Sequence, residues 1–173
     1  GGLPRTALVR APERVTPGGC LLIELALDRR YTLDTPPYNS VSQIFLAAGH
    51  RVASLDMPQH GELADAHGEG LPGIAAAAVA GVDVFAQFRR TARALVDACV
   101  ARGWALPGRV VVCGTSRGGH MALHVLAGDA RVLAAAAVAP VTHLPAVTEF
   151  AALADHPVIR RANADALVPC LAG

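Results

Sequence analysis

Ser116 stands among glycines in Gly114-Thr115-Ser116-Arg117-Gly118-Gly119, directly after the apolar run Arg109-Val110-Val111-Val112-Cys113. The order reads as a strand, a sharp turn and a helix, with a hydroxyl at the apex. Glycines on both sides of Ser116 lack the Cβ atoms that would clash where the backbone folds back, and one position is forced into a strained conformation. Free N–H groups of the first helical turn, and its positive dipole end, aim at the spot where an oxyanion would form. This is the geometry of a nucleophile elbow, and the chemistry it suits is attack by a serine on a carbonyl carbon. A bare G-x-S-x-G arises by chance in about one chain in 20 of this length, so the flanking strand and amphipathic helix carry the reading. The plainer alternative is a glycine-rich turn whose serine merely caps the helix.

Other chemistry-bearing residues are weighed against that centre. His120 and His124 lie one and two turns along the elbow helix, where side chains point along the flank or back over the preceding turn. They read as helix-face or core histidines without an acid partner. His143 follows the next strand and so falls on the active-site edge, where it is a minor candidate for the base, since triads are recognised by geometry and not by position. Asp155 and His156 are adjacent in sequence and point in different directions. His60, Asp65, His67 and Glu69 crowd one loop, but their spacing matches no ligand frame, and a solvated polar loop at the cleft mouth is favoured over a metal site.

The elements that must position Ser116 alternate strand and helix. Cys20 to Leu27 is a mostly apolar strand of the kind covered on both faces. After Pro36-Pro37, Asn39 or Ser40 caps a short helix with Val41, Ile44, Phe45 and Ala48 on one face, stopped by Gly49. Arg51 to Leu55 is the next strand, and Gln59 to Gly73 reads as a glycine-rich loop. A helix resumes near Gly81, with Phe85, Phe88, Ala92, Leu95 and Cys99 on its apolar side, and ends at Gly103. The strand into the elbow, a helix from about Arg117 to Ala127 and a strand from Val132 to Ala139 follow. Alternation of this kind predicts an α/β fold, a doubly wound and mostly parallel sheet. The four-alanine runs at 75–78 and 134–137 read as low-bulk packing segments, not repeats.

Bulk properties narrow the function classes. With 173 residues, a single domain over residues 1–173 is expected. The net charge of +1 and the lack of a basic run argue against nucleic acid or an anionic membrane as partner. The longest apolar run, Val132 to Val141, is too short to span a bilayer, and the first residues have no apolar core of the signal-peptide type. Four scattered cysteines (Cys20, Cys99, Cys113, Cys170) read as buried thiols in a reducing, cytoplasmic setting.

Two segments resemble the α/β-hydrolase superfamily, in its esterase, dienelactone-hydrolase and prolyl-oligopeptidase-like branches. One is the elbow with its strand and helix. The other is Gly49 to Glu62, similar to the family's strand ending in an Asp-x-Pro-x-His-Gly turn, here Asp56-Met57-Pro58-Gln59-His60-Gly61. Ala139-Pro140-Val141-Thr142 resembles the end of the strand after the elbow helix, so the likeness spans roughly residues 20 to 145. The resemblance implies Ser116 as nucleophile and the Arg117 backbone N–H as one oxyanion donor. The family's usual His-Gly-Gly stretch is replaced by Leu27-Asp28-Arg29-Arg30-Tyr31. The second donor is then the backbone N–H around Asp28, or the Tyr31 hydroxyl, which the prolyl-oligopeptidase-like branch would suggest. An Asp28 carboxylate beside the oxyanion would be unfavourable unless it points away or is paired with Arg29 or Arg30.

In this superfamily the acid and the histidine follow the nucleophile, each after a further strand. Only 57 residues follow Ser116, with one strand among them. The expectation is a partial domain lacking its C-terminal strands. Within about 100 further residues a strand ending in Asp or Glu, and later a loop histidine, are expected. The function so implied is a serine hydrolase cleaving a carboxylic ester or amide through an acyl-enzyme. It needs no cofactor and no metal, and acts on a small molecule. The alternatives are a catalytically silent binding domain and an acyltransferase on the same fold.

Overall fold

The computed structural model describes residues 2–171. Its centre is a five-stranded sheet in the order β1-β3-β2-β4-β5. The strands are β1 (Ala7–Arg10), β2 (Leu21–Leu25), β3 (Arg51–Leu55), β4 (Val110–Thr115) and β5 (Val132–Val138). Strands β2, β3, β4 and β5 run parallel, whereas β1 pairs antiparallel with β3 at the edge. In chain order the helices are α1 (Arg29–Asp34), α2 (Ser40–Ala47), α3 (Gly70–Val79), α4 (Val84–Ala101), α5 (Arg117–Gly128), α6 (Pro157–Ala162) and α7 (Ala164–Leu171).

Strand alternation divides the sheet into two faces. Leu21, Ile23 and Leu25 of β2 join Phe85, Phe88 and Leu95 of α4 and Met121 and Val125 of α5 in the larger core. Leu22 packs on the opposite face with Val52, Cys113 and Leu33, under Val41 and Phe45 of α2. Helices therefore lie on both faces, the doubly wound arrangement expected of an apolar parallel sheet. At β5 the face shared with α1 and α2 is bare: Ala134 and Ala136 are exposed, and Leu133 and Val138 are 64% and 53% accessible.

Several sequence expectations are corrected. The stretch 59–73 is not loop throughout, since α3 begins at Gly70 and takes in the alanines at 75–78. Gly73 sits where a Cβ would collide with the Gly68 backbone, so the residue that reads as a helix breaker is needed for close packing at the helix start. Neither β1 nor α1 is foreseen by periodicity. Ile44 does not share the buried face of α2; it is largely exposed, and Ser42 is the buried residue of that helix. Asn39 precedes α2 without a side-chain cap bond; the Glu24 carboxylate of β2 accepts from the Ser42 N–H at 3.0 Å instead, and from the Ser42 hydroxyl. All four cysteines are free, but only Cys99 and Cys113 are buried. Among the described residues, no single helix is long and apolar enough to cross a membrane.

The C-terminal ends of β2, β3, β4 and β5 all open on one edge of the sheet. From β2 the chain moves to β3 on one side, and from β4 to β5 on the other. The direction of winding thus reverses between β2 and β4, and such switch points leave a crevice at the strand ends. The loops beginning at Ala26 and at Ser116 flank that crevice.

Candidate active site

Ser116 holds φ 54° and ψ −114°, a conformation L-residues rarely adopt, and lies between β4 and α5. The strain is held in place by its neighbours. Its N–H donates to the Val138 carbonyl at 2.9 Å, and its carbonyl accepts from the His120 N–H at 3.1 Å and the Val141 N–H at 3.4 Å. Its side chain makes no capping bond, and the residue is exposed. The serine thus stands at the N-cap position of α5 without capping it through its side chain.

Glycines permit the turn. A Cβ on Gly114 would run into the Gly118 carbonyl, and one on Gly118 into the Leu25 carbonyl. A Cβ on Gly119 would stand 3.0 Å from the Gly114 oxygen and 3.1 Å from Pro140 Cβ. The first turn of α5 thus closes tightly on both β4 and the end of β2. It brings the loop after β2 against the start of the helix.

In that loop most backbone donors are committed. The Leu27 N–H donates to Thr32 Oγ1 at 3.2 Å and the Arg29 N–H to Asp56 Oδ1 at 2.9 Å. The Arg30 and Tyr31 N–H groups both donate to Asp28 Oδ1 at 2.9 Å. Asp28 is the N-cap of α1, so its carboxylate is turned onto its own helix. Its N–H takes part in none of these bonds. Tyr31 is 42% exposed, with its ring 5.6 Å from that of Tyr38.

Asp56 ties the loops after β2 and β3 together. It is 1% exposed and accepts from the Arg29 N–H, the Glu62 N–H at 3.0 Å and the Arg29 guanidinium. Arg29 also pairs with Glu62, which reaches Arg5 at 3.2 Å. These partners hold the Glu62 carboxyl below its usual range, the Arg29 hydrogen bond acting most. Gly61, at φ 55°, leaves room for the carboxylate: a Cβ there would stand 2.7 Å from Asp56 Oδ2. The Asp-x-Pro-x-His-Gly pattern is thereby given a structural role that the sequence did not disclose. The signal for it was an acidic residue directly after an apolar strand, five residues ahead of a glycine.

The histidines of α5 are built into the core. Arg89 Nη1 lies 2.8 Å from His124 Nδ1, and His124 Nε2 lies 2.9 Å from the Ala162 carbonyl and 3.2 Å from His120 Nε2. Burial lowers His120 to about 4 and His124 to about 3, so both rings are neutral near pH 7. His143 is exposed at the start of a 3₁₀ turn over Leu144–Ala146. His60 Nδ1 lies 3.0 Å from the Pro58 carbonyl, and the Asp65 carboxylate accepts the His67 N–H at 2.8 Å. No three His, Cys, Asp or Glu side chains converge as a metal site among the described residues.

Beside Ser116, Arg117, His120 and Met121 line a small pocket with Met57, Leu71 and Phe150. Its exposed surface is almost wholly apolar.

The fold is shared with solved structures. An esterase from an Arctic intertidal metagenomic library is 22% identical with a TM-score of 0.55, over 75% of this chain and 52% of that one. An acetyl xylan esterase from Paenibacillus sp. R4 is 20% identical with a TM-score of 0.54, over 79% of this chain and 44% of that one. The chain spans about half the length of these neighbours. No family profile matches the chain. No curated protein matches it either.

Proposed function

We propose that this chain, which has the α/β-hydrolase fold, carries the nucleophile of a serine hydrolase acting on carboxylic esters or amides. The observation that carries the reading is the strained, exposed Ser116 at the head of α5, beside the β2–β4 switch point. Ser116 Oγ attacks the acyl carbon while a histidine accepts its proton. The oxyanion that forms is held by the Arg117 N–H, at the positive end of a helix of 12 residues, and by the uncommitted Asp28 N–H. Collapse of the tetrahedral intermediate transfers that proton to the departing alcohol or amine and leaves the acyl group on Ser116. Water then attacks the acyl-enzyme and returns the free acid.

Neither histidine of α5 is the activating base. His120 and His124, the two nearest Ser116 in sequence, are committed to each other, to Arg89 and to Ala162. Turnover is accordingly expected of the full-length protein. With p-nitrophenyl acetate it should show a burst of one p-nitrophenolate per protein followed by a slower steady rate. Both phases should vanish in Ser116→Ala.

The same commitment of both α5 histidines favours a second reading, a silent domain that binds a small ligand. A folded full-length protein that shows neither burst nor turnover with any short-chain ester would support it.

A further inference from the structure

The three central strands are entered from turns rich in glycine: Thr16-Pro17-Gly18-Gly19 before β2, Gly49 before β3 and Gly103 between α4 and β4. Because these strands run parallel, the turns share the edge of the sheet opposite to the one that carries Ser116. Residues 15–20, Gly49, Arg51 and residues 103–106 enclose a hollow of about 230 Å³ there. That is several times the roughly 30 Å³ share of one water. Gly18 and Gly103 hold φ 66° and 65°, and a Cβ on either would meet nothing within 4 Å, so backbone is open to the solvent here. The N–H groups of Gly18 and Cys20 take part in no backbone hydrogen bond among the described residues.

The charge around the hollow is of one sign. Arg51 is half-buried, and its guanidinium makes neither an ion pair nor a hydrogen bond among the described residues. What holds it is the Trp104 ring, whose centroid lies 5.9 Å from its guanidinium carbon. Arg102 lies over the same ring at 5.4 Å. Arg109 donates from Nη1 to the Gly18 carbonyl at 2.8 Å and forms no ion pair among the described residues. No acidic side chain lines the hollow. Stacking on an indole fixes the plane of a guanidinium and leaves its N–H fork free to take two oxygens at once. Cations gathered without counter-charge in a concave site favour the arrival of an anion.

We propose that this hollow is a binding site for a small organic anion, held through its carboxylate or phosphate group by the Arg51 fork. Arg109 adds positive charge at the Gly18 side. Val15 and Leu106, 45% and 48% exposed, give the organic part of the ligand an apolar rim. The site lies across the sheet from Ser116 and does not depend on the hydrolase reading.

Trp104 reports on the site, because an oxyanion paired with Arg51 offsets the field of a cation at its ring. Its emission in the full-length protein, taken as the difference from Trp104→Phe, is followed against inorganic phosphate and against acetate. Chloride at equal ionic strength is the blank. A saturable shift with one or both oxyanions, half complete at about 1–10 mM, is expected. The oxyanion that saturates first names the head group. The shift should vanish in Arg51→Met. Half-saturation should rise about tenfold in Arg51→Lys, which keeps the charge and loses the fork. Ser116→Ala should bind as the wild type does. A response that stays linear to about 50 mM, or that chloride reproduces, overturns the proposal. So does an unchanged half-saturation in Arg51→Lys, which decides the matter if Arg51→Met fails to fold.

Discussion

Gly118 faces the Leu25 carbonyl so closely that no side chain fits between them. Through this contact the first turn of α5 docks on the end of β2 at Leu25 and Ala26, where the loop carrying Asp28 begins. Gly118→Ala should therefore disturb fold and site together. A methyl group driven into backbone is expected to cost about 3 kcal/mol or more. Urea unfolding checks the loss of stability, and backbone amide shifts of Leu27, Asp28 and Arg117 check its location.

Strain at Ser116 makes the opposite prediction. Glycine relieves a positive φ that serine tolerates at a cost of about 1–3 kcal/mol. Ser116→Gly is expected to raise stability by about 1 kcal/mol, or roughly 2–4 °C in Tm, while losing all reaction at the site. Equal or lower stability would mean that the turn imposes no strain.

Asp56 is the knot between two loops rather than a surface charge. Asp56→Asn keeps one acceptor for a backbone N–H but strips the Arg29 guanidinium of its buried partner. A loss of about 2–3 kcal/mol is expected. Amide hydrogen exchange should quicken at Arg29 and Glu62, whose N–H groups it holds. Exchange unchanged at both would refute the assignment.

Acid should loosen the α5 core through its histidines. Burial lowers His120 to about 4 and His124 to about 3, so the unfolded chain takes up these protons first as pH falls. Their contribution to stability is complete above about pH 6.5 and declines as pH drops toward the folded values. Between pH 6.5 and 4 His120 alone should cost the fold about 3 kcal/mol. Glu24 works in the other direction. Burial raises its carboxyl, so its contribution is greatest below the ordinary glutamate range and fades as pH rises through the folded value. Urea unfolding across pH 4–7, with His120→Gln flattening the acid limb and Glu24→Gln the other, separates the two. Titration of the His120 or His124 ring near 6.5 in the folded protein would contradict the acid prediction.

The turn at Ser116 was legible because its requirements are local: a β-branched strand, glycines where Cβ atoms would collide, and an amphipathic helix. Most of the sheet was legible for the same reason, since β5 is a continuous apolar run, β4 begins as one, and β2 is broken by a single polar residue. What escaped depends on contacts distant in sequence. β1 is a four-residue edge strand with no fully buried position, so alternation leaves no trace. The start of α3 is disguised by Gly70, which holds a left-handed φ of 64°, and by Gly73, which is kept there by close packing on Gly68. Glu24 interrupts an apolar strand because a helix N-terminus 18 residues later needs an acceptor, which no local pattern announces. The Asp56–Arg29–Glu62 knot joins residues from two loops, and each alone reads as an ordinary polar side chain. The resemblance drew attention to Asp28 through the loop it occupies. Its carboxylate turns away because the same loop begins a helix, α1, too short to show periodicity.

The most direct test of the central claim is the site of covalent labelling in the full-length protein by a fluorophosphonate. A single phosphonyl adduct is expected, mapped by peptide mass spectrometry to Ser116 and absent in Ser116→Ala. An adduct on any other residue, or none on a folded full-length protein, would contradict it.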